Sequence, residues 1–304
     1  MAIHDDETSR LMSHLLVVYE AAFGYILAGG VITADTAAPL LWAGMALFLA
    51  GVGLHLFVNL EAVSADEYRR KHRRLWLAVW ALLAGVAAAG TVSFDPMVNH
   101  AFFLVFVSFI VAQFLYYGLL RNTPLLGAAA YGTVRGLGVM AGAIMAGTVS
   151  PWALPGDVTY LLYGYLIFHV LCEFMRWSAA TKGARLTILA GFVGIMGLMI
   201  WLFYRFTYTL DNSTSTLIVM ILTLLLLLVV ALPPLAAVRT VRAQPLLAIF
   251  PHGLAGGVLL TLIFFIVMQK DLRLMFLSVI AALILLFTRR SAGDEGETDH
   301  AIRP

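Results

Sequence analysis

Residues 40–62 read LLWAGMALFLAGVGLHLFVNLEA, an apolar run that is followed at 69–74 by the basic sequence RRKHRR. About 20 mainly apolar residues are enough for a helix to cross the hydrocarbon core of a bilayer. Cytoplasmic loops of membrane proteins are enriched in Lys and Arg. This stretch is therefore typical of a transmembrane helix that ends on the cytoplasmic side.

The rest of the chain shares this composition. Of its 304 residues, 62% are hydrophobic and 12% are charged, and the mean hydropathy is +0.93. Because soluble domains have about 25% charged residues, we expect the outer surface to face lipid. The windows long and apolar enough to be spans are 14–34, 40–62, 74–94, 99–120, 125–147, 157–177, 185–207, 215–237, 246–268 and 271–288. Lipid offers the backbone no hydrogen-bond partner and no window alternates like a barrel strand, so the sequence predicts an all-α, polytopic transmembrane helical bundle.

Charges in the connections predict how the spans are oriented. Connections after even-numbered spans are basic, whereas those after odd-numbered spans hold no Lys or Arg except Arg205, Lys270 and Arg273 near span ends. The basic residues after even-numbered spans are Arg69, Arg70, Lys71, Arg73, Arg74, Arg121, Arg176, Lys182, Arg185, Arg239, Arg242, Arg289 and Arg290. By the positive-inside rule, both termini are predicted to lie in the cytoplasm. The last two windows are separated only by QKD, so a re-entrant pair is an alternative to two crossings.

Two further features limit the organisation of the chain. The first window is followed directly by others, so it is predicted to be a retained helix and not a cleaved signal peptide. Cys172 is the single cysteine, which excludes an intrachain disulfide and a metal site built from several cysteines.

Polar side chains gather at the predicted cytoplasmic ends of the second, fourth and sixth spans. They are His55, Asn59, Glu61, Asp66 and Glu67 in the second, Tyr117 and Arg121 in the fourth, and His169, Glu173 and Arg176 in the sixth. Charge inside a membrane is costly and often marks a site, so these ends are predicted to converge on one cavity. Simpler interpretations stay open: lipid-headgroup anchors at 69–74, a helix-surface ion pair for Glu173 with Arg176, and interhelical hydrogen bonds for both histidines.

Arg135 differs because it lies in the middle of the fifth span. It is too far from the basic end to reach water easily, so it is predicted to face a partner or a wet cavity. Glu173 and Glu20 are the candidate partners. The flanking glycines allow a second helix or a ligand to approach closely; they are Gly132, Gly136, Gly138 and Gly142.

Three segments together resemble a known family. They are RNTPLLGAAAYGTVRGLGVMAGAIMAG at 121–147, CEFMRW at 172–177 and KGARLTILAGFVG at 182–194. Their order and placement are similar to the central part of the UbiA superfamily of intramembrane prenyltransferases. The resemblance extends back to Asn59 and forward to about residue 268, so it covers most of the chain.

The resemblance implies a domain organisation. It predicts a UbiA-like core of nine helices around a central cavity over 14–268. An additional C-terminal transmembrane helix is then expected over 269–289. The ends are a cytoplasmic N-terminal segment over 1–13 and a polar cytoplasmic tail over 290–304.

The resemblance also implies an activity, which is transfer of an isoprenyl group from an isoprenyl diphosphate to an aromatic or lipid acceptor with Mg²⁺. In the first aspartate motif, Asn59 and Glu67 match, but Val63 stands in place of an aspartate. Tyr117 with Arg121 matches the Tyr-x-x-x-Lys element. The implied catalytic residues are Asn59, Glu67, Tyr117 and Glu173, and the implied Mg²⁺ ligands are Asn59, Glu67 and Glu173.

The second aspartate motif matches less well. Glu173 and Arg176 fit its first positions, whereas Trp177 and Ala180 stand where carboxylates are expected. The residues implied to bind the diphosphate are Arg121, Arg135, Arg176 and Lys182. The basic residues of the family's site are therefore better matched in this chain than its carboxylates, which are the usual ligands of a hard metal ion.

Two functions follow from this pattern. One is a prenyltransferase with a divergent metal site, whose prenyl tunnel is lined by Phe102, Phe103, Phe106, Tyr116, Tyr160, Tyr163 and Tyr165. The other is a non-catalytic relative that binds or carries a polyprenyl, quinone or pigment-type lipid, or is a subunit of a larger membrane complex. An unrelated transporter is the third class, but it predicts an internal repeat that is not visible here. The expected partners are an isoprenoid lipid and the bilayer, and not nucleic acid.

Overall fold

In a computed structural model, the described residues are 2–58, 65–91, 95–120 and 123–147, with further helical positions at 163, 165–167, 169–171, 173–174, 190, 193–194, 197, 201 and 221. Within these ranges the chain is helical with short turns and without a β-strand. The all-α prediction is therefore confirmed for the described residues. The windows after residue 180 lie almost wholly outside them.

Five α-helices are described in full. They are α1 Ala2–Leu27, α2 Ala34–Val58, α3 Ala65–Ala89, α4 Pro96–Phe114 and α5 Pro124–Met145, and a π-helical turn at Leu115–Leu120 continues α4. By length and composition, α2 and the continuous helix Pro96–Leu120 are long and apolar enough to cross a membrane. A membrane protein is thus supported for the chain.

The helix ends follow local sequence. Gly29 has φ +87°, a conformation that favours glycine, and it terminates α1. The Asp95 carboxylate accepts a hydrogen bond from Met97 N at 2.8 Å, and Pro96 occupies the first turn of α4. This is an N-cap arrangement with proline where no backbone donor is required. The start of α4 at Pro96 thus follows from Asp95 and Pro96.

Some predicted boundaries differ from the helices. α1 already begins at Ala2, and α3 begins at Ala65, so both include polar sequence that precedes the apolar window. Hydropathy marks the part of a helix that suits lipid, whereas the helix itself continues through residues of good helix propensity. Pro39 lies in the second turn of α2. Proline has no backbone N–H, but near the start of a helix this removes few of the backbone hydrogen bonds of the helix.

The chain divides into two compact units, one of His14–Val170 and one of Met1–Ser13 with Leu171–Pro304. The first of these contains most of the described residues. Its apolar core includes the buried rings of Phe102, Phe106 and Phe109 on α4. In the second unit, Leu171 contacts Gly194, and the other described positions are helical.

Small residues bring α2 and α3 together. A Cβ added at Gly53 would lie 2.9 Å from the Ala78 carbonyl oxygen, and one added at Gly85 would lie 3.0 Å from the Ala46 carbonyl oxygen. Close backbone approach of this kind is typical of helix pairs in membranes, where small residues form the interface.

Candidate functional site

A buried ion pair lies at the centre of the His14–Val170 unit. Arg135 Nη1 on α5 donates to Glu20 Oε1 on α1 at 3.0 Å, and the two side chains are 1% and 0% exposed. Glu20 was one of the two partners expected for Arg135, and this pairing is confirmed. The Tyr165 hydroxyl donates to the same Glu20 oxygen at 2.8 Å. Glu20 therefore joins α5 and the helical segment around residue 165 to α1.

Glycines on α5 make room for this ion pair. A Cβ at Gly138 would lie 2.5 Å from Glu20 Oε2 and 3.1 Å from Glu20 Cβ. At Gly142 a Cβ would meet the backbone of Ala21, and its distance to the backbone N of Tyr25 would be 2.8 Å. The predicted role of these glycines in close helix approach is confirmed, because α1 packs directly on this face of α5.

The other two flanking glycines face a different neighbour. A Cβ at Gly132 would meet the side chain of Val170, and one at Gly136 would lie 2.6 Å from Leu166 Cδ2. The α5 helix thus uses one row of glycines against α1 and another against the segment around 165–170. Arg135 is enclosed between them.

Aromatic and histidine rings form a continuous chain of contacts away from Glu20. We call it the ring chain, and its members are His55, Tyr117, Tyr116, Tyr131, His169 and Tyr165. The centroid distances are 5.3 Å for His55–Tyr117, 4.9 Å for Tyr117–Tyr116, 5.3 Å for Tyr116–Tyr131, 6.1 Å for Tyr131–His169 and 4.5 Å for His169–Tyr165. The guanidinium carbon of Arg135 also lies 5.4 Å from the Tyr131 ring centroid. The ring chain therefore connects the end of α2 with the ion pair.

The π-helical turn sets the position of two members of the ring chain. Tyr116 and Tyr117 both lie on Leu115–Leu120, which follows α4 without a break. Short π-helical turns occur often at functional sites, because the extra residue reorients the side chains that follow. Here Tyr116 is buried and Tyr117 is half-buried against His14 and His55.

His14 and Gln113 are two further buried polar side chains, each 1% exposed. Among the described residues, neither ring nitrogen of His14 nor Oε1 of Gln113 has a hydrogen-bond partner. Both side chains adjoin Gly51 on α2: a Cβ there would lie 2.6 Å from His14 Nδ1 and 3.3 Å from Gln113 Nε2. The two side chains therefore come from α1 and α4 and meet at α2.

The residues predicted for the site are only partly described. Tyr117 and Arg135 lie in the unit just described, at the ring chain and the ion pair, and Glu173 is buried in the other unit. Glu67 lies on α3, with its side chain outside the described set. Outside the described residues are Asn59, Arg121, Arg176 and Lys182. Their convergence stays a prediction.

The aromatic residues predicted to line a tunnel do not all face inward. Phe102, Phe106, Tyr116 and Tyr165 are buried. Phe103 and Tyr163, by contrast, are 39% and 44% exposed. Consecutive residues on a helix point about 100° apart, so Phe103 is turned away from the core that holds Phe102. Tyr160 lies outside the described residues.

Mg²⁺ binding stays a prediction. Over the described part of the chain, no group of three or more His, Cys, Asp or Glu side chains could hold a metal ion. The Glu20 carboxylate, which contacts the ring chain at Tyr165, is engaged by Arg135 and Tyr165. The side chains of the expected ligands Asn59 and Glu67 lie outside the described set.

Three polar residues of this cluster were not selected from the sequence: His14, Gln113 and Tyr131. Gln113 is the single amide in α4 after Asn99, and His14 stands at the start of an apolar window. An isolated polar residue in an apolar span is a recognisable signal. The residue that it contacts gives no such signal, because that residue lies on another helix.

Comparison with protein-family models, curated protein sequences and solved structures finds no match to this chain.

Proposed function

We propose that this chain is a multi-pass membrane protein with a UbiA-type bundle and with both termini in the cytoplasm. The described helices support the proposal through their length and apolar surface, as in α2 and Pro96–Leu120. The distribution of basic residues in the connections supports the orientation. The count of nine core helices and a tenth rests on the sequence windows and on the family resemblance.

We further propose that the bundle binds an isoprenoid lipid. The observation that carries this proposal is the buried polar cluster of Glu20, Arg135 and Tyr165, with the ring chain leading to it. Polar and charged groups inside a membrane are costly, and where they occur they usually serve a site or a pathway. Aromatic rings beside this cluster offer both apolar contact and π faces to an unsaturated chain.

Prenyl transfer is the catalytic form of the proposal. The basic residues Arg121, Arg176 and Lys182 would neutralise a diphosphate at the cytoplasmic end, and bound Mg²⁺ would stabilise the departing diphosphate. The π faces of Tyr116 and Tyr131 would stabilise positive charge that develops on the allylic chain. Support for this form comes from the match at Asn59, Glu67, Tyr117 and Glu173.

Non-catalytic binding of an isoprenoid or quinone-type lipid is the second candidate. It is favoured by the pairing of Arg135 with Glu20, because this cation already has a counter-ion inside the bundle. The replacement of expected carboxylates at Val63, Trp177 and Ala180 favours it as well.

A turnover assay separates the two forms. Purified protein in lipid nanodiscs is incubated with farnesyl or geranylgeranyl diphosphate, a panel of aromatic acceptors, and either Mg²⁺ or a chelator. The catalytic form predicts Mg²⁺-dependent pyrophosphate release and prenylated product, both lost in Glu67→Ala and Glu173→Ala but kept in Asp35→Ala. Asp35 is an exposed acid at the start of α2 and is a matched control.

The other outcomes are equally decisive. Saturable isoprenoid binding without product, and without dependence on Mg²⁺, selects the non-catalytic form. Absence of both binding and turnover would overturn the isoprenoid proposal.

A further inference from the structure

His14 and Gln113 form a buried polar site that the proposed function does not use. His14 comes from α1 and Gln113 from α4, and both adjoin Gly51 of α2. Each side chain is 1% exposed. Glycine is required at this point, because a Cβ would lie 2.6 Å from His14 Nδ1. The packing of the three helices therefore places these two polar side chains beside the same glycine.

The polar atoms at this site have unused hydrogen-bonding capacity. Within the described part of the chain, His14 Nδ1, His14 Nε2 and Gln113 Oε1 lack a partner. Buried polar groups in proteins are nearly always hydrogen-bonded, and leaving one unbonded costs about 1–3 kcal/mol. Inside an apolar bundle no bulk water can compensate. Three such atoms belong to two side chains that both approach Gly51, His14 through Nδ1 and Gln113 through Nε2, and they indicate that a further polar group completes the site.

The chemistry of these atoms specifies that group. A neutral imidazole offers one donor and one acceptor, and the amide oxygen of Gln113 offers an acceptor. A hydroxyl has one donor and can accept as well, so it matches both residues at once. The edges of the His55 and Tyr117 rings lie beside His14, with centroids 5.6 and 6.1 Å away. These two neighbours of His14 are thus aromatic rings.

Charge balance favours a neutral occupant. Arg135 lies in the same unit, and its guanidinium has the Glu20 carboxylate as counter-ion at 3.0 Å. An anion buried beside His14 and Gln113 would therefore have to share a guanidinium that already has a carboxylate, and burying a charge that is not fully paired is strongly unfavourable. A neutral hydroxyl avoids this cost.

We propose that His14 and Gln113 bind one neutral hydroxyl group, supplied either by a water molecule or by an apolar ligand that carries a hydroxyl. If a ligand supplies it, the isoprenoid that the bundle is proposed to bind carries a hydroxyl group. That half of the inference rests on the proposed function. If water supplies it, the site stands independently of the ligand.

The ligand source is tested with two isoprenoids that differ only in the hydroxyl. Binding of farnesol and of the hydrocarbon farnesene is measured on the full chain in nanodiscs. We expect about a tenfold preference for farnesol, the factor that one hydrogen bond contributes. Gln113→Leu should abolish the preference and leave farnesene binding unchanged. Ser108→Ala is the matched control, because Ser108 is an exposed hydroxyl on the same helix that bonds only within it, to Leu104 O at 2.9 Å.

Gly51→Ala is a second test that keeps both polar residues. Its new methyl would displace the His14 imidazole, so the farnesol preference should fall as it does in Gln113→Leu. If either variant unfolds, the other still decides the question.

The water source is tested on ligand-free protein with ¹⁵N-labelled histidine by solid-state NMR in bilayers. Transfer of magnetisation from water to the His14 ring, lost in Gln113→Leu, would assign the hydroxyl to water. Equal binding of farnesol and farnesene together with no transfer from water would overturn the inference. Failure of the proposed function looks different, because then neither isoprenoid binds while the water signal at His14 remains.

Discussion

Glu20 Oε1 accepts a hydrogen bond from Arg135 Nη1 at 3.0 Å, although the two residues are 115 positions apart in the chain. Both side chains are essentially inaccessible to solvent. The pair joins α1 to α5 at the level where the glycines of α5 allow the closest approach. Because each charge depends on the other inside an apolar bundle, the two residues are expected to act as one unit.

This coupling can be measured with a double-mutant cycle. Arg135→Leu and Glu20→Leu should each lower the free energy of unfolding by about 3–5 kcal/mol, because each leaves a buried charge without a partner. The double variant should lose much less than the sum of the two. Unfolding in detergent micelles, followed by circular dichroism, gives the values. Additive losses would contradict the pairing.

Tyr165→Phe tests the second hydrogen bond to Glu20. Removing a donor to a charged group should lower the free energy of unfolding by about 1.5–3 kcal/mol. Tyr163→Phe is the matched control, since Tyr163 is 44% exposed on the same segment, and it should change stability by less than about 0.5 kcal/mol. Equal effects of the two substitutions would show that the Tyr165 hydroxyl is not bonded as described.

Gly142→Ala tests the close contact between α5 and α1. The added methyl would meet backbone atoms of Ala21 and Tyr25, which cannot move without shifting α1. Overpacking of this kind costs about 1–3 kcal/mol. Gly118→Ala is the control, because among the described residues a Cβ there meets just the Phe114 ring, at 3.9 Å. The contact would be refuted if Gly142→Ala were as well tolerated as Gly118→Ala.

Two tryptophans are expected to mark opposite membrane boundaries. Trp76 Nε1 donates to His72 Nε2 at 2.9 Å in the middle of α3, where the apolar window 74–94 begins, and Trp42 Nε1 donates to Thr91 Oγ1 at 3.2 Å just beyond the end of α3. Both rings are about half exposed, as in the aromatic belts of membrane proteins.

Quenching by brominated lipids measures the depth of each ring. In single-tryptophan variants, Trp42 and Trp76 should be quenched most by bromine near the headgroups. Trp80 lies one turn further along α3, about 6 Å deeper by helix rise, and should respond to deeper bromine. Deep quenching of Trp76 would place α3 differently in the bilayer.

Much of the described fold could be predicted from the sequence, because hydropathy and helix-capping residues depend on neighbouring residues in the chain. The windows 99–120 and 125–147 correspond closely to Pro96–Leu120 and Pro124–Met145. The end of α1 was placed too late, at residue 34. Apolar residues continue past Leu27, and the positive φ of Gly29 that ends the helix is not visible to hydropathy.

The contacts inside the bundle could be predicted less well from the sequence, because they depend on which helices are neighbours. The sequence required a partner for Arg135 and offered both Glu20 and Glu173, and it is the packing of α1 on α5 that brings Glu20 to 3.0 Å from Arg135. Tyr165 was expected to line an apolar tunnel, yet its hydroxyl serves the ion pair. The adjacency of His14, Gly51 and Gln113 requires three helices and has no local signal.

Photoaffinity labelling tests the central proposal, isoprenoid binding inside the bundle, most directly. The full chain in nanodiscs is labelled with a diazirine-bearing farnesyl chain, prepared both as the alcohol and as the diphosphate. We expect saturable labelling of peptides that contain the ring chain, competed by unlabelled farnesol or farnesyl diphosphate but not by palmitate. Labelling that is confined to outward-facing residues such as Leu104 and Trp80, does not saturate and is not competed would contradict the account.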